Sequence, residues 1–417
     1  MGDFGRSPRM QYHALALANS GVEVDVIAIS GSAPFENIVK NPRIHLRLFN
    51  NFEQPSKNNP GQRRDLLGAL ARLLIHNFRL IRAFRWLPAR PDLILVQNPP
   101  GFPTLPIALM FARMYSARLV VDWHNFTSSM FALGLGKHHP AVRLLRICEG
   151  LFGRRADSHL CVSRAMQADL RDHWGIADPS VLYDRPARFF SPPAASAKRE
   201  LFARVFGDAV AAADPSPAIV VSPTSWTRDE EMSLLLDAAE IFDSMLIEQE
   251  KLSPHTRFPG MIIAITGKGP MRESYEKRIE RIVLKKVWIK TLWLSPEDYG
   301  PLLASSHLGV CCHRSSSGLD LPMKICDLLG AGVPVCALDY GPCLREQLRE
   351  GENGLLFADA NQLAERMLLL FKNFPSQTAI LDNLKNNIVR TPRTTWFEGW
   401  QEEARSLLLE GFSHDPM

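Results

Sequence analysis

The sequence has no apolar run approaching the roughly 18 residues that cross a bilayer as a helix, so no spanning segment is expected. It opens on polar Met1-Gly2-Asp3, which is not the pattern of a secretory leader. Its 7 cysteines are odd in number, lack a paired CxxC spacing and sit mostly inside apolar runs. That pattern excludes a disulfide framework and predicts reduced, buried thiols in a cytosolic setting. Zinc is not expected, because His138-His139 has no partner at ligand spacing. GxSxG, HExxH and Walker A spacings are missing, which counts against a serine hydrolase, a zinc protease and metal-dependent phosphoryl transfer. The nearest approach to a DxD metal motif, Glu23-Val24-Asp25, alternates within a strand pattern and reads as a solvated face. An excess of one charge is also lacking. With 48 basic and 44 acidic residues the net charge is +4, too small to argue for nucleic acid.

What is present is an ordinary globular balance, 46% hydrophobic and 22% charged, in 417 residues. That length fits two domains of roughly 200 residues each. Short Val/Ile/Leu runs alternate with helical patterns in two series. The first has strand candidates at Val22–Ile29, Ile44–Phe49, Asp92–Gln97, Leu119–Trp123 and Ser158–Val162. The second has Ile219–Ser222, Met261–Thr266, Val287–Leu292, Leu308–Cys312, Val333–Leu338 and Leu355–Phe357. Continuous apolar strands joined by helices mean parallel sheets covered on both faces, so the expected class is α/β, two doubly wound Rossmann-like domains facing a cleft. Pro/Ala-rich stretches place the boundaries: a first domain over 1–195, a linker region over 196–217, a second domain over 218–390 and a helical tail over 391–417.

Several loops carry chemistry. Gly2-Asp3-Phe4-Gly5-Arg6-Ser7-Pro8 puts glycines ahead of a helix opened by Ser7 and Pro8, so Gly2, Gly5, Arg6 and Ser7 form either an anion or sugar-hydroxyl site or a plain turn. The doubly wound pattern calls for a strand before this loop, and the sequence supplies none there. Leu119–Trp123 delivers Asp122, Trp123, His124 and Asn125 at a strand's carboxyl end, where His124 is the side chain best able to take a proton near neutrality. The plainer reading is a hydrogen-bonded loop histidine. Glu149 sits on a helix beside Cys148 and Leu151, where a solvated or paired helix carboxylate is the plainer reading than a base.

In the second series, Gly267-Lys268-Gly269 follows a strand and suits a diphosphate through glycine amides and the Lys268 charge, or is only a basic turn. Ser225 and Thr227 follow another strand and can hold phosphate oxygens or cap a helix. Ser315–Asp327 is the densest stretch, with Asp320 and Asp327 on either side of Lys324; its carboxylates suit ribose or sugar hydroxyls, the plainer reading being a surface ion pair. The segment Arg63–Arg90 carries seven arginines against Asp65, with Leu67, Leu70, Leu74, Phe78 and Ile81 on one face. It reads as a crossover helix packed on its own sheet, and its arginines suit an anionic membrane surface.

The motifs Gly2–His13, Gln97–Gly101, Val121–Asn125, Val181–Pro186, Thr224–Thr227, Ile265–Pro270 and Ser315–Lys324, in that order, resemble the endoplasmic-reticulum β-1,4-mannosyltransferases that add the first mannose to chitobiosyl-diphosphodolichol. The likeness runs from Gly2 to about Phe357. It implies a B-type glycosyltransferase fold, with the lipid-linked chitobiose acceptor on the first domain and GDP-mannose mainly on the second. It implies no tightly bound cofactor and no required divalent metal, the leaving diphosphate being neutralised by Ser225, Thr227, Lys268 and Lys324. Asp327 matches an acidic position that binds the nucleotide ribose; Asp320 does not keep that signature's spacing.

The implied reaction inverts the anomeric centre and needs a base for the GlcNAc 4-hydroxyl. His124 or Asp3 is the expected base, with Asp122 and Glu149 behind them. The resemblance also implies the cytosolic face of the endoplasmic-reticulum membrane, with other mannosyltransferases of the pathway as partners. Family members carry an anchor and a first strand ahead of the Gly-Asp loop. The expectation is therefore a longer native product upstream, or peripheral attachment through the arginine-rich helix. The alternatives are another B-type glycosyltransferase with a different sugar nucleotide, or a truncated non-catalytic paralogue acting as a scaffold.

Overall fold

The computed structural model describes residues 2–50, 66–252, 258–376 and 378–410. The chain divides into two compact units, Met1–Tyr183 together with Trp396–Met417, and Asp184–Thr395.

The first unit begins with a short 3-10 turn, Phe4–Arg6, and helix α1, Pro8–Asn19. Strand β1 (Val24–Ser30), helix α2 (Glu36–Val39) and strand β2 (Ile44–Asn50) follow, then α3 (Leu66–Arg85), β3 (Leu93–Asn98), α4 (Thr104–Tyr115) and β4 (Arg118–Trp123). Helices α5 (Thr127–Leu135) and α6 (Pro140–Gly153), strand β5 (Ser158–Cys161), helix α7 (Arg164–Trp174) and the two-residue strand β6 (Ser180–Val181) complete this stretch. All pairings are parallel. Strands β1 and β2 form one sheet, and β3-β4-β5-β6 form another. Strand β4 is buried from Leu119 to Trp123, as expected of a strand covered on both faces.

The second unit holds α8 (Ala195–Phe206), α9 (Asp208–Ala211), β7 (Ala218–Pro223), α10 (Met232–Leu252), β8 (Met261–Thr266), α11 (Arg272–Ile279), β9 (Val287–Leu292), α12 (Pro296–Ser305) and β10 (Leu308–Cys311). It continues through α13 (Met323–Gly330), β11 (Val335–Leu338), β12 (Gly354–Phe357), α14 (Ala360–Phe371) and α15 (Ala379–Arg390). Its six strands are all parallel in the order β12-β11-β10-β7-β8-β9, a doubly wound sheet whose order reverses between β10 and β7. Strands β7 and β8 are buried throughout, whereas the edge strand β9 alternates, burying Val287 and Leu292 and exposing Trp288. Asp243, on α10 and nearly buried, accepts N–H bonds from Lys285, Lys286 and Val287, fixing the start of that edge strand.

The expected α/β class and two parallel-sheet domains are borne out. In the segment 196–217, Leu201, Phe202, Val205 and Phe206 of α8 pack on Ile219, Ile262 and Leu292 of the second sheet. The helical tail packs on the first unit. Its helices α16 (Trp396–Glu403) and α17 (Arg405–Leu409) return there, where buried Trp396 and Trp400 pack with Ala16, Val120 and Leu160. The apolar stripe of α3 is a correction. Leu80, Ala83 and Phe84 are buried, with Phe84 stacked on Phe111 at 4.7 Å, while Phe78 is 64% exposed. Position 78 lies on the opposite side of the helix from 80, which explains the reversal. The side chains of Leu67, Leu70 and Leu74, like Arg63, Arg64 and Asp65, lie outside the described residues.

Candidate functional site

In the first unit, β4 ends in a buried carboxylate hub. Asp122 is 0% exposed and its Oδ2 accepts from Arg9 Nε at 2.7 Å, His13 Nε2 at 3.2 Å and His124 Nε2 at 3.0 Å, while Oδ1 accepts from Arg9 Nη2 at 2.8 Å. Arg9 and His13 lie one turn apart on α1, so both reach the same carboxylate. Burial alone would raise the Asp122 pKa, but the Arg9 charge and the bonds from both histidines hold it well below the usual carboxylate range. Burial pushes His13 down, against the pull of Asp122, so it is the neutral imidazole here. Trp400 Nε1 donates to His13 Nδ1 at 3.2 Å, which leaves Nε2–H to face Asp122.

His124 is 17% exposed in its side chain, and its backbone N–H donates to Asn98 O at 2.8 Å. With Nε2 turned to Asp122, the lone pair of Nδ1 is the one free for proton transfer. Trp123 is fully buried, donating Nε1–H to His159 at 3.2 Å, and so belongs to the core. Asn125 Oδ1 accepts from Phe126 N and Ser129 Oγ, fastening the entry to α5. Glu149, 1% exposed, caps that helix from α6: Oε1 accepts from Thr127 N at 2.6 Å and Asn98 Nδ2 at 3.1 Å, and Oε2 from Ser128 N at 3.0 Å. Both oxygens are thus occupied by donors at a helix N-terminus.

The Gly-Asp loop is equally engaged. Asp3 accepts from Gly5 N at 3.1 Å and Ser32 N at 3.0 Å and pairs with Arg6 at 3.6 Å. Arg6 Nε also donates to Ser32 Oγ at 3.2 Å. Gly2 O accepts from Ile29 N, which lays the segment alongside β1. A Cβ on Gly5 would stand 2.2 Å from Ser32 O, so this approach admits only glycine. Ser7 occupies the N-cap position of α1, but its hydroxyl donates to Gln97 Oε1 at 2.8 Å instead of capping.

In the second unit, three loops leave the carboxyl ends of adjacent parallel strands β8, β7 and β10, around the point where the strand order reverses. The loop after β7 and the loop after β10 are laced together. Glu230 bridges His313, Glu231 N donates to Cys312 O at 2.9 Å, and Arg314 N donates to Asp229 O at 2.7 Å. Glu230, 3% exposed, accepts from Thr224 Oγ1 and from Ser225 N at 2.7 Å, and pairs with the Lys324 ammonium. Burial presses Lys324 down to about 8, opposed by the Asp229 charge.

His313 lies between two carboxylates, Nδ1 3.3 Å from Asp229 and Nε2 3.4 Å from Asp320. Burial works against its protonation, but those bonds and charges raise it to about 9. Asp229 is held well below the carboxylate range by His313 and Thr227, although burial opposes this. Asp320 also accepts from Ser315 and Ser317 hydroxyls, which closes the serine loop on itself. Asp327 accepts from Tyr299 OH at 3.0 Å, and burial raises it to about 6 against that bond.

The loop after β8 packs its glycines on the loop after β7. A Cβ on Gly267 would meet Thr224 O at 1.8 Å and one on Gly269 would meet Ser225 O at 1.7 Å; Gly267 also has φ +136. Gly267 N donates to Leu292 O at 3.0 Å, so that amide serves the fold. Lys268 is exposed, its Nζ 4.1 Å from the Trp293 ring centroid. Among the described residues, no group of three or more His, Cys, Asp or Glu is arranged to hold a metal ion.

The structure therefore gathers Asp122, His124, Trp123 and Asn125 in one place, Asp3, Gly5 and Arg6 in another, and Ser225, Thr227, Gly267, Gly269, Asp320 and Lys324 in the second unit. Sequence reasoning missed Arg9, His13, Asp229, Glu230 and His313. The i, i+4 pair of polar residues on an otherwise buried α1, and the acidic run Asp229-Glu230-Glu231 after a strand, were the available signals.

Two parallel-sheet α/β units with these loops define a glycosyltransferase of the B-type fold. Residues 5–183 match the family described as "Glycosyl transferase 4-like domain" and residues 229–373 that described as "Glycosyl transferases group 1". Among solved structures, Alr3699/HepE from Anabaena in complex with UDP-glucose superposes with a TM-score of 0.65 at 17% identity over 97% of each chain. The chain belongs to the chitobiosyldiphosphodolichol beta-mannosyltransferase family, as the seven motifs implied. The mouse member is 36% identical, covering 98% of this chain and 88% of its own, and the human member 35%, covering 98% and 91%. A relative from Arabidopsis thaliana named "UDP-glycosyltransferase TURAN" is 39% identical over 98% of this chain and 96% of its own.

Proposed function

We propose that this chain is an inverting mannosyltransferase, moving the first β-1,4-linked mannose from GDP-mannose to GlcNAc2-diphosphodolichol for protein N-glycosylation. The family supports the substrates, and the His124–Asp122 pair supports the chemistry. In this reading the acceptor 4-oxygen attacks the mannose anomeric carbon from the face opposite the diphosphate. His124 Nδ1 takes the hydroxyl proton, the anomeric C–O bond breaks, and GDP leaves with its bonding pair. Asp122 orients the imidazole and stabilises the imidazolium, a role that a carboxylate with low basicity fills well. Asp3, Asp122 and Glu149 are weaker bases, since each already accepts from fixed donors.

On the donor side, Lys324, Lys268, Ser225 and Thr227 would hold the diphosphate, and Asp327 the ribose. Glu230 and His313 set the position of that constellation. The acceptor lipid places the reaction at the cytosolic face of the endoplasmic-reticulum membrane, with other mannosyltransferases of the pathway as further partners. No tightly bound cofactor is needed by this scheme.

The test is transfer to chitobiosyl-diphospho-lipid in detergent, with GDP-mannose and UDP-sugars compared. A single β-linked mannose from GDP-mannose supports the reading. Transfer from a UDP-sugar alone would move the chain to the donor class in the Arabidopsis relative's name. His124→Ala is expected to lower kcat by about 10²–10⁴ with unchanged thermal stability; near-normal turnover would remove His124 from the mechanism.

A further inference from the structure

An amphipathic surface helix normally turns only its polar side to water. Helix α6 exposes an apolar stripe beside its arginines. Its inward stripe is Val142, Glu149 and Gly153, all buried, and its outward stripe is Leu144, Ile147 and Leu151, exposed by 61%, 63% and 39%. Helix α5, packed beside it, exposes Met130, Phe131 and Leu133 by 49%, 51% and 53%. Single exposed apolar residues are ordinary, but six on two adjacent helices form a patch of the kind that marks an interaction site.

The exposed charges along Phe126–Arg155 have one sign. Lys137, Arg143, Arg146, Arg154 and Arg155 are all exposed, and the only acid between Phe126 and Arg155 is Glu149, buried under α5. A second copy of the chain would bring two sets of these cations together around one apolar seam. An anionic bilayer accepts both features at once, burying the apolar stripe at the acyl boundary and pairing the cations with headgroups. The neighbouring helices extend the character: α4 exposes Met114, α3 exposes Phe78, and Trp86 just past the end of α3 is exposed with the Arg82 guanidinium 3.8 Å above its ring.

We propose that the α5–α6 face is a membrane-docking surface for lipid bilayers with anionic headgroups. Because Glu149 ties the N-terminus of α5 to α6, and α5 starts at the His124-Asn125 loop, docking fixes the height of that loop above the lipid. This last consequence rests on the mannosyltransferase reading; the docking itself does not.

The test is flotation of the full chain with vesicles of phosphatidylcholine alone and of phosphatidylcholine with phosphatidylserine. Binding is expected with phosphatidylserine and should weaken as salt rises. Leu144→Ser with Ile147→Ser should lose at least ten-fold in partitioning, and Arg143→Gln and Arg154→Gln about five-fold each. Val283→Ser, at an 87% exposed position of the second unit, should change nothing. Wild-type flotation by the Leu144/Ile147 variant overturns the proposal, as does a dimer that the same variant dissociates while vesicles stay unbound. Flotation without sugar transfer in detergent would leave docking standing and sink the enzymatic reading. Transfer without flotation would do the reverse.

Discussion

Arg9 holds Asp122 through two hydrogen bonds, Nε to Oδ2 at 2.7 Å and Nη2 to Oδ1 at 2.8 Å, and neither side chain is more than 1% exposed. A bidentate guanidinium–carboxylate pair this deep is stable only while both partners remain, since either alone is an uncompensated buried charge. Its function follows from that constraint. It keeps Asp122 ionised and still, so His124 has a fixed partner.

Removing Arg9 is therefore a stability experiment first. Arg9→Met should cost about 3–5 kcal/mol, a fall of roughly 10 °C in the melting temperature of the first unit. Adding Asp122→Asn to that variant should recover part of the loss, because the orphaned charge goes with it. Calorimetry of the two variants checks this, and a double variant no more stable than Arg9→Met alone would contradict the account.

Glu149 separates a structural carboxylate from a catalytic one. Glu149→Gln keeps the shape but replaces one acceptor oxygen by an N–H group that faces the α5 amides. The expected result is a stability loss of about 1–3 kcal/mol with kcat within a few-fold of wild type. A loss of several hundred-fold in kcat at unchanged stability would instead return Glu149 to the list of bases.

The strands and both sheets were legible because buried parallel strands are continuous apolar runs, as in Leu119–Trp123 and Met261–Thr266. The motif around His124 was legible for the same reason: it sits where such a run stops. The partners of Asp122 were not, since Arg9 and His13 are more than 100 positions away and look locally like ordinary helix residues. His313 follows a strand end as His124 does, but its meaning depends on Asp229 and Asp320 closing around it. Phe78 misled because helical spacing tells which residues share a face and not which face is covered.

His313 gives a pH dependence with a definite sign. Its folded pKa of about 9 lies above the ordinary histidine value near 6.5, so protonated His313 stabilises the fold. That contribution is fully present below about pH 6.5 and is lost as pH rises through about 9. It amounts to about 3 kcal/mol at most. Lys324, pushed down to about 8, acts in the opposite direction at higher pH, so the comparison must be with His313→Asn and not with wild type alone. Urea unfolding at several pH values should show the gap in stability between wild type and variant shrinking as pH rises from about 6.5 to above 9. A constant gap would mean the histidine is neutral in the fold.

Trp400 extends the hub to the end of the chain. Its indole N–H meets His13 Nδ1 at 3.2 Å, and the ring is 0% exposed among α1 and the β4–β5 core. In Trp400→Phe most of the ring packing survives, but His13 Nδ1 becomes a buried acceptor without its donor, at a cost of about 1–3 kcal/mol. The imidazole is then free to exchange tautomers, so Nε2 no longer has to carry the proton that faces Asp122. Ending the chain at Thr395 should do far more, stripping Trp396, Trp400 and Leu408 from the first unit while removing none of its strands. Truncation is thus expected to unfold the first unit and leave the second folded, which separate melting transitions would show. Unchanged melting of the first unit after truncation would mean that α16 and α17 are an appendage and that His13 needs no partner from the C-terminus.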